Sequence, residues 1–147
     1  MAAANYHDLL AGLQQIFEGD PRTRDARVFV EEDPQFDLIG AQKCILLVLN
    51  SRIPTGGQPI AAGKRTRWNV KIGVWACGFG ISFEQAAQIR DELVGQIEVV
   101  LMANRTIRDK VATSWLDGGE FVSVRNEQHM FASAETILVA EVTAANG

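Results

Sequence analysis

The run Cys44-Ile-Leu-Leu-Val-Leu49 is apolar at every position. A strand points successive side chains to opposite faces, so an unbroken apolar run predicts a strand buried on both sides. The rest of the chain offers only two good helical patterns to cover a sheet. One face can take those helices. The other needs a second layer for which the sequence has little material left, and a partner chain is the simplest supplier. The chain is therefore expected to work as part of a self-assembly.

The 147 residues fit one domain, and a hydrophobic content of 47% is ample for a core. A formal net charge of −4 argues against gripping nucleic acid, which takes a concentrated basic surface; it suits a surface along which DNA slides without sticking. The stretch Met1-Ala-Ala-Ala-Asn5 has neither a basic flank nor a secretory hydrophobic segment, and no apolar run approaches the roughly 18 residues of a membrane span. No membrane is expected as a partner, and the chain is expected to stay in the cytoplasm after synthesis.

Local patterns place most elements. Asn5 can cap a helix in which Tyr6, Leu9, Leu10, Leu13, Ile16 and Phe17 recur at helical spacing, Asp8 favours the positive end of the dipole, and Gly19 and Pro21 stop it. Ala26 to Val30 reads as a short strand ended by Glu31-Glu32-Asp33-Pro34, and Phe36 to Gly40 as a linking turn. From Ser51 to Thr66 the composition loses periodicity, whereas beyond it Trp68, Val70, Ile72, Val74 and Ala76 alternate with Asn69, Lys71, Gly73 and Trp75. This predicts a long hairpin with a projecting arm at about 51–66, and a bulge or a close backbone contact at Gly73.

Ser82 followed by Gln85 is a capping box opening a second helix, with Ala86, Ile89, Leu93, Ile97, Val100 and Leu101 on one stripe. It fades near Asn104. Arg105 to Ser114 is ambiguous between helix and loop. Trp115 precedes the turn signal Asp117-Gly118-Gly119, and strands follow near Phe121 to Arg125 and Ala134 to Val142, separated by Asn126-Glu127-Gln128-His129. The fold class is thus α+β, a mostly antiparallel sheet with two helices packed on one face and a long projecting hairpin or loop, in a single domain over residues 1–147.

No motif for catalysis stands out. Gly78-x-Gly80 before a helix lacks the remaining glycine of a dinucleotide fingerprint, and a plain strand-to-helix turn explains it. Asp117-Gly-Gly-Glu120 reads as a turn, and His129, near Ser123 and Ser133, has no orienting acid. Cys44 and Cys77 read as small buried hydrophobes and, with His7 and His129, show no metal-ligand spacing. No catalytic residue, cofactor or metal is expected. Lys64-Arg65-Thr66-Arg67, beside Trp68, is the one basic cluster. It reads as a solvated hairpin stem, or as one side of a charge-complementary contact with carboxylates of a neighbouring subunit such as Glu31, Glu32 and Asp33.

The order of these elements carries a resemblance: the helix ending near Gly19, the two-sided apolar strand, the glycine-rich hairpin, the helix opening with Ser82-Phe83-Glu84, the Trp115-Leu-Asp-Gly118 turn and the closing Phe131-Ala-Ser-Ala-Glu135 strand. Together they resemble the tail terminator, or tail completion, proteins of long-tailed bacteriophages and gene transfer agents. The resemblance spans nearly the whole chain and rests on layout and length. It implies a structural virion protein without enzymatic activity, located at the tail-neck junction after assembly in the host cytoplasm. Its subunits would form a homo-oligomeric ring, typically a hexamer, that caps the tail tube, stops tube polymerisation and docks the head-side connector or stopper protein. DNA would only pass through the lumen.

Under that resemblance the arm and its basic flank become the subunit or tube interface: Ile53, Pro54, Thr55, Gly56, Gly57, Gln58, Pro59, Ile60, Lys64, Arg65 and Arg67. Two alternatives stand beside it, a neck or head-tail joining protein of the same fold and a small oligomeric ligand-binding α+β protein.

Overall fold

The computed structural model describes residues 5–32, 43–55, 65–125 and 130–145. The first helix, α1 (Tyr6–Gly19), begins where the sequence predicts, with the Asp8 amide donating to Asn5 Oδ1 at 2.9 Å. It leads into β1 (Arg27–Val30), β2 (Lys43–Pro54) and β3 (Arg65–Gly80). The second helix, α2 (Phe83–Ala103), is followed by β4 (Thr113–Leu116), β5 (Phe121–Arg125) and β6 (Met130–Ala145).

The strands form one mixed sheet in the order β1-β2-β3-β6-β4, with β5 also paired to β6. Among the described strands only the β1–β2 pair is parallel. The long β3 and β6 pair from Arg65↔Ala145 to Gly80↔Met130. The far edge of β6 is shared, β5 taking Met130 to Ala134 and β4 taking Leu138 to Glu141. The Asp117–Glu120 turn moves the chain from one to the other, held by amides of Asp117, Glu135 and Ile137 donating to the carbonyls of Ile137, Glu120 and Gly118.

Both helices lie on one face. Leu10, Leu13 and Phe17 of α1 and Leu93, Ile97 and Val100 of α2 share a fully buried core with Ile45 and Leu47 of β2, Ile72 and Val74 of β3, and Leu138 of β6. The helix α2 lies against β3 so closely that a β-carbon on Gly78 would stand 2.9 Å from the Arg90 amide nitrogen. Gly78 therefore serves close helix–strand packing. The capping box forms in part: the Gln85 amide donates to Ser82 Oγ at 3.1 Å, while Gln85 Oε1 accepts from the Ile81 amide, one residue before the cap.

Several boundaries depart from the sequence reading. Ser51 to Pro54 continue β2 and Arg65 and Thr66 belong to β3, so both ends of the stretch read as an arm are paired strand, while residues 56–64 lie outside the described residues. Pro54 is the last strand residue, where a sheet tolerates a missing N–H. The strand β4 occupies a stretch read as ambiguous between helix and loop up to Ser114 and, at Trp115, as preceding a turn. The irregularity assigned to Gly73 divides in two. At Gly73 itself the close neighbours are side chains and not backbone, since a β-carbon there would meet Glu135 Oε2 at 2.8 Å and Val48 Cγ2 at 3.1 Å. The bulge falls in β2, where the register skips Asn50 between Leu49↔Ile72 and Ser51↔Lys71.

Candidate assembly surfaces

The bulge at Asn50 decides what the hairpin stem presents. Ahead of it Ile45, Leu47 and Leu49 face the helices; beyond it the alternation inverts, and Arg52 and Pro54, paired with Val70 and Trp68, take the helix side. The Arg52 guanidinium lies 4.3 Å from the centre of the Trp68 ring and 5.5 Å from that of Tyr6, and donates to the Tyr6 hydroxyl at 3.0 Å. The stem is thereby fastened to the first turn of α1. Tyr6, Arg52 and Val70 line an open pocket of about 320 Å³ at this junction.

The inversion turns Ile53 to the opposite face, where it is 55% exposed. Thr55 donates its hydroxyl to Asn69 Oδ1 at 3.2 Å across the stem. Arg67 is loosely held by Glu141 at 3.7 Å. Of the predicted interface residues, Ile53, Pro54, Arg65 and Arg67 belong to paired strands rather than to a loop, and Thr55 follows β2 directly. The remaining ones, Gly56, Gly57, Gln58, Pro59, Ile60 and Lys64, lie outside the described residues, as do Asp33 and His129. Glu31 and Glu32 are exposed beyond the end of β1.

The second face of the sheet is apolar, as the opening hexapeptide predicts. Phe29, Cys44 and Cys77 form a buried cluster there, edged by half-buried Leu46, Trp75, Phe79 and Phe131. The Phe79 and Phe131 rings meet at 5.1 Å between centroids. Half-buried Ile137 and the exposed Trp115, which pairs with buried Val139, continue this face toward the β4 edge. Both helices pack on the opposite side, and among the described residues no helix or strand crosses this face. Cys44 and Cys77 are direct cross-strand partners and both are free thiols. The hydrogen bond with Cys44, and then burial, push the Cys77 thiol well above the usual cysteine range.

A third surface was missed by sequence reasoning. Between α2 and the β4–β5 turn lies a cleft of about 200 Å³, lined by Val94, Leu116, Ala134, Thr136 and Phe121, with Glu98 and Glu120 also facing it. Phe121 is 71% exposed, with Arg90 over its ring at 5.0 Å. The signal available in sequence was Phe121 directly after a tight turn, but its proximity to α2 depends on β5 pairing with the far edge of β6.

The described residues contain no group of three or more His, Cys, Asp or Glu side chains placed to hold a metal ion, and no helix among them is long and apolar enough to cross a membrane. Comparison with models of known protein families and with curated proteins finds no match to this chain.

Proposed function

We propose that this chain is a ring-forming structural subunit that caps a protein tube, acting as the tail terminator of a long-tailed phage or gene transfer agent. The observation that carries the reading is the apolar second face around Phe29, Cys44, Leu46, Trp75 and Phe131, on a sheet whose helices, among the described residues, are on the other side. In a ring, one patch of each subunit meets a different patch on the next, and closure needs no further component. The second face supplies one such patch, and the hairpin stem fastened by Arg52 supplies a rigid base from which the arm reaches a neighbour or the tube. Capping then needs no catalysis: the ring occupies the growing end and presents a surface that recruits no further tube subunit. The head-side connector docks on that opposite surface, and DNA passes through the lumen without a basic grip.

Sedimentation and negative-stain imaging of the purified protein, alone and mixed with tail tubes, test this. Rings that seat on tube ends and arrest elongation are the expected result. Only solitary molecules, at high concentration and with tubes present, would overturn it. Binding to the connector but not to tubes would assign the chain to the neck instead. Removing residues 56–63 while keeping the paired stem should leave a folded protein that no longer caps tubes, and unchanged tube lengths would contradict the role given to the arm.

A further inference from the structure

The cleft between α2 and the β4–β5 turn combines an apolar lining with a negative rim. Val94, Leu116 and Ala134 line it, Phe121 stands exposed at its edge, and Glu98 and Glu120 flank it. The outer side of α2 adds exposed Glu84, Asp91 and Glu92. Its one cation, Arg90, is already engaged by Asp91 at 2.9 Å and by the Phe121 ring. A segment that fits here carries apolar side chains to fill the cleft and cations to meet the carboxylates.

The chain carries one such segment. The hairpin stem sets exposed Ile53 two residues from Lys71's partner Ser51 and one from Pro54, opposite Asn69 and Trp68. Arg67, its side chain 69% exposed, follows Lys64 and Arg65 in the only basic cluster of the sequence. A molecule's own stem is badly placed to reach its own cleft. Ala134 at the cleft pairs with Ala76, whereas Arg65 pairs with Ala145 at the other end of β3, about 36 Å away at roughly 3.3 Å per residue. Donor and acceptor patches at separate ends of one sheet are what a head-to-tail contact between copies requires.

We propose that the cleft between α2 and the β4–β5 turn receives the basic hairpin stem of a second copy of this chain. The inference rests on the ring reading above and names the contact that would join neighbouring subunits. Glu98, Glu120 and Arg67 are exposed, so reversing their charges leaves the core untouched.

The test uses two full-length variants, Glu98→Lys with Glu120→Lys in the cleft, and Lys64→Glu with Arg65→Glu and Arg67→Glu in the stem, each checked for an unchanged thermal unfolding transition. Sedimentation should show at least tenfold weaker self-association for either variant alone. An equimolar mixture of the two should regain assembly, because each altered stem then meets an altered cleft and each native stem a native cleft. One chain carrying all five reversals should regain it as well. A cleft variant that assembles like the parent, or loss without rescue in both the mixture and the combined chain, would overturn this contact while leaving the ring intact as an idea. A parent protein that stays monomeric, with or without tubes, would instead remove the ring reading itself.

Discussion

Arg52 lies over Trp68, its guanidinium carbon 4.3 Å from the ring centre and 5.5 Å from that of Tyr6. The pair joins β2, β3 and α1 close to the Pro54↔Trp68 end of the β2–β3 pairing. An exposed cation–π contact contributes about 0.5–1 kcal/mol, and the hydrogen bond to the Tyr6 hydroxyl adds to it. Arg52→Ala should therefore lower stability by about 1 kcal/mol in urea unfolding, while Arg52→Lys, which keeps the charge and loses the planar stacking group, should recover only part of the difference. Full recovery by lysine would show that stacking on Trp68 contributes nothing.

Gly119 presents a sharper steric constraint. A β-carbon there would lie 2.6 Å from the Glu135 carbonyl carbon, and the main chain cannot yield because the Glu135 and Ile137 amides are fixed to Glu120 and Gly118 at 2.7 Å each. Gly119→Ala should destabilise by about 3 kcal/mol, in the range of severe packing errors. Its neighbour Gly118 has φ +78° and open space around it, so Gly118→Ala should cost about 1 kcal/mol, the conformational penalty alone. Equal denaturation midpoints for the two variants would mean that the turn is free to shift away from β6.

The layered arrangement was legible because it rests on local signals: the Asn5 cap, the periodic stripe of α2, and the alternation of β3 all carry their own period. The two-sided burial of β2 was legible for the same reason, Ile45 and Leu47 going to the helices and Cys44 and Leu46 to the other face. What escaped depends on pairing partners distant in sequence. Nothing around Asn50 signals a bulge, yet that one extra residue decides that Arg52 meets Tyr6 while Ile53 faces away. Likewise β4 has only four residues, and Trp115 and Leu116 gain their positions from Val139 and Leu138 of β6. The basic cluster was visible in sequence, but the cleft beside Glu98 and Phe121 was not, since it exists only once β5 has taken the edge of β6.

The cross-strand pair Cys44 and Cys77 gives a pH dependence with a definite sign. The fold raises the Cys77 pKa, so the native state holds that proton more tightly than the unfolded chain, whose cysteines titrate near 8.5. The stabilisation is fully present below about pH 8 and is lost as pH rises from there toward the folded-state pKa. Urea midpoints measured near pH 7.5 and pH 9.5 should thus fall more for the parent than for Cys77→Ala. Both thiols, being buried, should also resist alkylation until the protein unfolds. Identical pH dependence in parent and variant would contradict the assigned environment.

Between α2 and β4 the backbone makes a turn of unusual hand: Ile107, Arg108 and Asp109 take φ values of 48°, 56° and 64°. Left-handed backbone costs a non-glycine residue roughly 1–2 kcal/mol, and three in succession persist only if what they position repays it. Here the turn drives Ile107 fully into the core, lets Arg108 donate to Gln15 Oε1 at 2.6 Å, and brings Lys110 to Asp8 at 2.7 Å. Gly12 leaves room on α1 for the Lys110 stem, whose Cε would stand 2.8 Å from a β-carbon. Asp109 is exposed and contributes only its backbone amide, to Thr106 Oγ1. Asp109→Gly removes the left-handed penalty and keeps that bond, while extra freedom in the unfolded chain offsets part of the gain. The net effect should be a stabilisation of about 0.5 kcal/mol. Asp109→Val, with a branched β-carbon in the same conformation, should destabilise by about 1–2 kcal/mol. Urea unfolding of the two variants checks the opposition, and a glycine variant less stable than the parent would show that this turn is not left-handed in solution.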